Sequence, residues 1–489
     1  MAWQPTSNPG QAGLDSTNAI QGGWLTCTEG VSIGSAIASR EHLTDGTRGD
    51  GRLKTSVPGV SNPQPRSVLT PALKLVSVRG IRSFSQAFLN VVTPLYLLSR
   101  GISSAELGVF FTLSFLIGAI MSIPVGVFAD RWGRKPFLVA FTVLMLLWGA
   151  IFSFTSYLPA LVSISIVSGI GRGGGGMGGG QAGPFAPAES AFLADLSPER
   201  ERRKIFSING VASSLLAAAG AALAGLPVLL KRYHLFLLSS NEGLFVLTIV
   251  LAVVSLLILF SVKEPPRRPK EERKAKILSK KSTRIVVYQS FVGAFNAFGI
   301  SFVNSLFVIW LHLRFGVGQE SIGPVFTASY LLSAASVWVA SAMAGKMGSV
   351  RTIVATRVLA ALLMVATALS PAFWVAIVFQ ILRTAATMMA TPVRQSFTMT
   401  LYPSEERASA SGFTAVVRRL SGAASPPISG GLFDVGQLEL PFYLGAGFQI
   451  LSALLYNKLF ASLESESEKG AGRKKEVIEP EALMDDDPT

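Results

Sequence analysis

Five arginines and one glutamate stand inside stretches that are otherwise apolar: Arg172, Arg383, Arg394, Arg418, Arg419 and Glu189. An ionisable side chain surrounded by hydrocarbon costs about 3 kcal/mol or more unless it faces a polar cavity or a partner, so each one marks a candidate site. A guanidinium presents a planar fork that matches a carboxylate or phosphate with two parallel hydrogen bonds. Arg172 and Arg383 facing each other would therefore favour an anionic or polyhydroxylated ligand. Glu189 is the one comparable carboxylate, a candidate carrier for a coupling proton and a partner for Arg394. Amides extend the set. Arg79, Gln86 and Asn90 recur at helical spacing, as do Gln289, Asn296 and Asn304, which groups each trio on one helix face. Ligand contact and interhelical hydrogen bonding, worth about 1 kcal/mol each, are both open to these amides. The ligand-binding candidates are thus Arg172, Arg383, Gln86, Asn90, Gln289 and Asn296.

Catalytic and metal chemistry find little support. His42, His234 and His312 are scattered without metal-ligand spacing, and Cys27 is the only cysteine, so neither an intramolecular disulfide nor a cysteine metal cluster is available. No G-x-x-x-x-G-K-[ST] loop occurs. No cofactor, no metal and no enzymatic activity are expected.

The elements that must hold these groups are long apolar segments. Of 489 residues 49% are hydrophobic and 15% charged, and windows such as Phe137 to Leu158 and Gly243 to Val262 contain no charge at all. Such runs cross a bilayer as helices, which satisfy their own backbone groups in lipid. The segments read as twelve spans: residues 75–98, 107–128, 137–156, 159–193, 205–230, 243–262, 285–311, 322–344, 353–369, 372–400, 410–433 and 441–459. Residues 1–67 and 464–489 read as disordered tails, and 263–284 as a basic linker. An alternative for the first segment is that translation begins near Val68, which N-terminal sequencing decides. The net charge of +14 is concentrated, with ten Lys and Arg between Lys263 and Arg284 and no aromatic interleaving before Tyr288. That pattern fits cytoplasmic retention by the positive-inside rule and argues against nucleic-acid binding. The loops on the side of Arg134 hold most loop cations. The opposite loops hold only Arg100, Lys231, Arg232 and Arg314, so both termini are expected in the cytoplasm.

Gly126-Val-Phe-Ala-Asp130-Arg131-Trp132-Gly133-Arg134-Lys135 lies between the second and third spans. It resembles the G-x-x-x-D-R-x-G-R-K loop of the major facilitator superfamily. The resemblance covers roughly residues 73–463. It implies an all-α polytopic membrane protein with twelve transmembrane helices in two six-helix pseudo-symmetric bundles. It also implies a monomeric secondary transporter of the plasma membrane that moves a small solute by alternating access, without ATP, with a proton as the candidate coupling ion. By the same resemblance Gly126, Asp130, Arg131, Gly133, Arg134 and Lys135 form a cytoplasmic gate, and helices 1, 4, 7 and 10 line the cavity; Glu189 and Arg394, each other's repeat mates, are expected to pair across the halves as an inner gate. Anchoring a tight loop is the alternative role for the loop charges. An exporter of amphipathic cations is the rival function; a lipid-modifying enzyme or a receptor would need a catalytic cluster or an output domain that the chain does not display.

The two halves repeat. Pro187 and Pro198, like Pro392 and Pro403, stand eleven residues apart, and Glu201-Arg202 matches Glu406-Arg407. In this register Glu189 aligns with Arg394. Arg172 to Pro187 is fifteen residues while Arg383 to Pro392 is nine, and the surplus falls in the run from Gly173 to Gly180, read either as a linker or as a broken intramembrane helix. The second loop copy, Gly345-Lys346-Met347-Gly348, lacks the Asp. Gly422 to Gly431 resembles a helix-5 motif of family exporters but stands in helix 11, where small-residue packing is the simpler role.

Overall fold

The computed structural model describes residues 65–170, 186–198, 201–232, 241–264, 279–403 and 406–478. Among them there is no strand. The helices are α1 (Pro65–Ser99), α2 (Ser104–Trp132), α3 (Arg134–Phe154), α4 (Leu158–Ser168), α5 (Ala186–Leu196), α6 (Arg202–Leu223), α7 (Leu226–Arg232), α8 (Asn241–Ser261), α9 (Lys280–Asn304), α10 (Phe307–Phe315), α11 (Gln319–Met347), α12 (Ser349–Ala368), α13 (Phe373–Thr400), α14 (Arg407–Ala423), α15 (Ser425–Asp434) and α16 (Leu440–Ile478). Seven stretches among the described residues are long and apolar enough to cross a bilayer by length and composition. Neither α1 nor α14 supplies one: α14 is only 17 residues long, and α1 carries Arg79 and Arg82 as α14 carries Arg418 and Arg419, charges that belong on helices facing a polar interior.

Local chemistry sets the boundaries. Ser103 caps α2 in a reciprocal capping box with Glu106. Gly133 joins α2 to α3 at φ 106°, ψ 155°, and Gly348 joins α11 to α12 at φ 84°, ψ 161°. Both lie in a backbone region that side chains avoid at a cost of about 1–3 kcal/mol, which accounts for a glycine at this position in both loop copies. Gly133→Ala and Gly348→Ala are each expected to lower the unfolding free energy by about that amount in a detergent denaturant titration. Gly412→Ala, on a helix and facing open space, is expected to be neutral or stabilising.

Several predicted spans differ in detail. The fifth divides at Ala224–Gly225 into α6 and α7, and the seventh at Ser305–Leu306 into α9 and α10. The eleventh divides before Pro426 and Pro427, whose missing N–H groups suit the first turn of α15. The last span runs on as helix to Ile478, past the expected tail boundary at 464; the segment past Leu463 is rich in Glu and Lys, good helix formers without an apolar pattern. Residues 171–185, with Arg172 and the Gly173 to Gly180 run, lie outside the described residues, as does 265–278 of the linker.

Packing follows the sequence repeat. Contacts of α1 with α6 and α8, and of α3 with α8, in the first bundle correspond to those of α9 with α14 and α16, and of α12 with α16, in the second. Glycine permits the closest approaches: a Cβ on Gly220 would stand 2.1 Å from the carbonyl oxygen of Phe84, and one on Gly299 2.6 Å from that of Gly445. Across the bundles, α2 meets α14 and α15, while α6 meets α11, the pairing that a two-fold relation between the halves requires.

Candidate functional site

In the first bundle the buried charges satisfy one another. Arg79 on α1 donates from Nη1 to Glu189 Oε1 at 3.0 Å and from Nε to Ser213 Oγ at 3.1 Å, and Arg82 donates to the other carboxylate oxygen. Glu189 on α5 is only 2% exposed. Two guanidinia therefore hold one carboxylate inside the bundle. The predicted pairing of Glu189 with Arg394 is corrected here: α1 brings Arg79 and Arg82 to Glu189 within its own half, whereas Arg394 lies in a different cluster in the other bundle.

That cluster surrounds a cavity of about 580 Å³ between α9, α12, α13, α14 and α16. Arg357, Arg394 and Arg418 line it with Gln289, Ser411 and Tyr456, and its described lining includes no carboxylate. Arg357 donates to Ser452 Oγ at 3.0 Å and stacks its guanidinium 4.7 Å from the Tyr456 ring centre. Arg394 sits in the combined field of Arg357 and Arg418. Arg418 Nε is enclosed without a hydrogen-bond acceptor, as is Ser411 Oγ. Arg418 also walls a second cavity, of about 180 Å³, which it shares with Arg419 and Gly422 on α14, Ser301 on α9, and Phe115 and Gly118 on α2. One arginine thus connects the interior of the second bundle with the seam between bundles.

At the other end of α2 the seam is shut. A Cβ on Gly108 would stand 2.3 Å from the Pro426 carbonyl oxygen, one on Gly430 2.1 Å from that of Ser104, and one on Gly323 2.7 Å from that of Ala221. The Asp434 carboxylate accepts from the Ser104 and Ala105 amides at 3.0 and 2.9 Å, neutralising free donors at the start of α2. Gln319 donates to Asn241 at 2.8 Å across the α8–α11 side.

The other expected residues fall in several places. Gln289 is in the arginine cavity, donating to Thr398 Oγ1 at 2.6 Å and accepting from Tyr402 at 2.8 Å. Arg383 is not: it is fully buried, donating to Gln380 at 2.9 Å and to Asn304, with Nη1 enclosed without a partner. Its expected place on the wall of an open cavity is corrected, because Asn304, eleven residues beyond Gly293 on α9, and Gln380 hold the guanidinium in closed packing. Gln86 lines a small void in the first bundle, Asn90 reaches Tyr330 across the seam, and Asn296 is buried. In the loop, the Arg134 guanidinium bonds the Ala191 carbonyl and Asp195, its amide donates to Glu264 at 2.8 Å, and Lys135 donates to the carbonyls of Phe260 and Val262. Gly133 makes the turn, while the side chains of Asp130 and Arg131, and Gly126, lie outside the described set. Arg357 escaped the sequence reading, although its charge inside the 353–369 span was the same signal that marked Arg394.

The model for the Major Facilitator Superfamily matches residues 75–426, with a second match over 289–484. The chain is 22% identical to an uncharacterized membrane protein of Saccharomyces cerevisiae, over 80% of this chain and 94% of that one. It is 25% identical to Multidrug resistance protein 2 of Bacillus subtilis, over 75% and 90%. Among solved structures, a bacterial homologue of the human lysosomal transporter Spinster, in an inward-facing and unoccupied conformation, matches with a TM-score of 0.63 at 15% identity over 83% of this chain and 98% of that one. The nucleoside transporter NupG matches at 0.62 and 12% identity, over 80% and 100%. With a family model spanning most of its length, two bundles related by an internal repeat, and the loop from Gly126 to Lys135 between α2 and α3, this chain belongs to the major facilitator superfamily.

Proposed function

We propose that the chain is a monomeric secondary transporter of the plasma membrane, with both termini cytoplasmic, that carries a small anionic or polyhydroxylated solute by alternating access. The observation that carries the reading is the contrast along the seam: backbone-to-backbone contact at the Ser104 end, and cavities bearing Arg418 and Arg419 beyond it. In this reading the structure is the cytoplasm-open state. Closure around the solute would open the Ser104 end, with the loop of Asp130, Arg131 and Arg134 acting as the gate of the opposite state. Arginine supplies the attraction for an anion and amides such as Gln289 the contacts for hydroxyls.

The rival reading, export of amphipathic cations, draws on the name of the Bacillus relative. A cation site needs a carboxylate, and Glu189 is engaged by Arg79 and Arg82 in this state. Proton carriage by Glu189 therefore belongs to a state in which those contacts open.

The test uses a chain with Cys27 replaced by Ser and Ser396, an exposed residue of the cavity lining, by Cys, in oriented vesicles. A membrane-impermeant thiol reagent is expected to label the new cysteine from the cytoplasmic side, and a transported anion to slow the labelling at least about tenfold by occupying the cavity. Labelling from the outer side alone would overturn the assigned orientation of the open end, and protection by amphipathic cations but by no anion would favour the rival.

A further inference from the structure

The repeat register sets the two buried clusters side by side. Glu201 and Glu406 occupy matching positions at the starts of α6 and α14, and twelve residues beyond them stand Ser213 and Arg418. Glu189 likewise corresponds to Arg394. In the first bundle Glu189 and Ser213 are the acceptors that satisfy Arg79 and Arg82. In the second bundle both acceptor positions hold arginine, a third arginine is added at Arg357, and a cavity of about 580 Å³ occupies the space among them. The three cations arrive on separate helices, α12, α13 and α14, and line one cavity.

We propose that the Arg357–Arg394–Arg418 cavity binds a multiply charged anion of the phosphate-monoester class, whose oxygens take the place that the Glu189 carboxylate and Ser213 hydroxyl fill in the first bundle. The inference rests on the reading of this cavity as a solute site and narrows its ligand. A singly charged carboxylate has two oxygens, enough for two arginines, as Glu189 serves Arg79 and Arg82 in the first bundle. Three guanidinia with Arg418 Nε and Ser411 Oγ unsatisfied ask for more acceptor atoms and more charge than one carboxylate has, and a phosphate monoester supplies three terminal oxygens and close to two charges. The volume admits such a group together with a small organic body. Gln289 on α9 and Tyr456 on α16 also line the cavity and are placed to contact that body. The phosphate can belong to a soluble ester or to a lipid headgroup, and the shared chemistry is the dianionic terminal group.

The experiment measures the melting temperature of the full-length purified protein with phenyl phosphate, benzoate, and mixed micelles containing phosphatidic acid or phosphatidylcholine. Phenyl phosphate or phosphatidic acid is expected to raise it, and benzoate and phosphatidylcholine not to. Whichever of the two phosphates acts identifies the source. Arg394→Glu restores the carboxylate that the first bundle has at this position. It is expected to raise the melting temperature of the ligand-free protein and to abolish the phosphate shift, an outcome that loss of folding cannot mimic. Arg418→Gln is expected to weaken phenyl phosphate binding at least about tenfold, the loss of a charge-assisted hydrogen bond. A shift of equal size with benzoate, no shift with either phosphate, or a shift that survives in Arg394→Glu would overturn the proposal. Phosphate binding without counterflow of phenyl phosphate in proteoliposomes would leave the site standing and sink the transport reading. Arg394-dependent flux of a neutral solute with no phosphate shift would do the reverse.

Discussion

Glu189→Gln is expected to lower the unfolding free energy by about 3–5 kcal/mol, the loss seen when one member of a buried ion pair is removed and its partner stays behind. Here two partners would stay behind. Arg79 is 3% exposed and both it and Arg82 donate to this carboxylate, so the amide would leave at least one guanidinium with its charge uncompensated inside α1, α5 and α6. Ser213 cannot take over, because its hydroxyl already accepts from Arg79 Nε and donates to the Asn209 carbonyl at 2.6 Å. Denaturant unfolding of the purified protein in detergent reads the effect. Adding Arg82→Gln to Glu189→Gln is expected to recover part of the loss, since it removes one of the stranded charges. A Glu189→Gln protein as stable as the parent would show that the cluster is solvated and not a buried tie.

Gly430→Leu is expected to shift the balance between conformations by about 5- to 150-fold away from the state described here. A leucine at Gly430 would place its Cβ 2.1 Å from the Ser104 carbonyl oxygen and 2.8 Å from the Ala105 Cα, both backbone atoms of α2 that cannot swing aside. Overpacking of that kind costs about 1–3 kcal/mol, and the cost falls only on the conformation in which α2 and α15 touch. The same displacement would pull Asp434 from the Ser104 and Ala105 amides. In a chain lacking Cys27, Ser104→Cys reports the outcome: buried and slow to react in the parent, and faster by about that factor once Gly430→Leu is added. Gly431→Leu is the control, since a Cβ there meets open space. Unchanged reactivity in the Gly430 variant would mean that the seam accommodates bulk and is not the closing surface.

The two expectations draw on different parts of the chain, and they differ in how legible they were beforehand. That Glu189 and the arginines would sit in apolar surroundings follows from the charge-free flanking residues alone. Which cation Glu189 meets does not, because α1 and α5 are about a hundred residues apart in sequence and every arginine on a neighbouring helix is an equally good partner until packing chooses. The repeat register pointed to Arg394 as the counterpart of Glu189, and that equivalence is visible in matching helix contacts. A counterpart under two-fold symmetry occupies the same place in the other bundle, which is why it does not become a contact.

Hydropathy, proline spacing and the loop from Gly126 to Lys135 determined the class of the protein, since each records a local demand: helices that satisfy their own backbone in lipid, chain turns at fixed intervals, and glycine where φ is positive. The twelve-helix order and its internal repeat were legible for the same reason. Tertiary structure alone decided that Arg383 is folded into closed packing by Gln380 and Asn304 while Arg357, Arg394 and Arg418 surround a cavity. A residue's charge and depth are properties of its own helix. Whether it faces a neighbour or a void depends on the rotation of that helix against four or five others, which no stretch of one helix encodes.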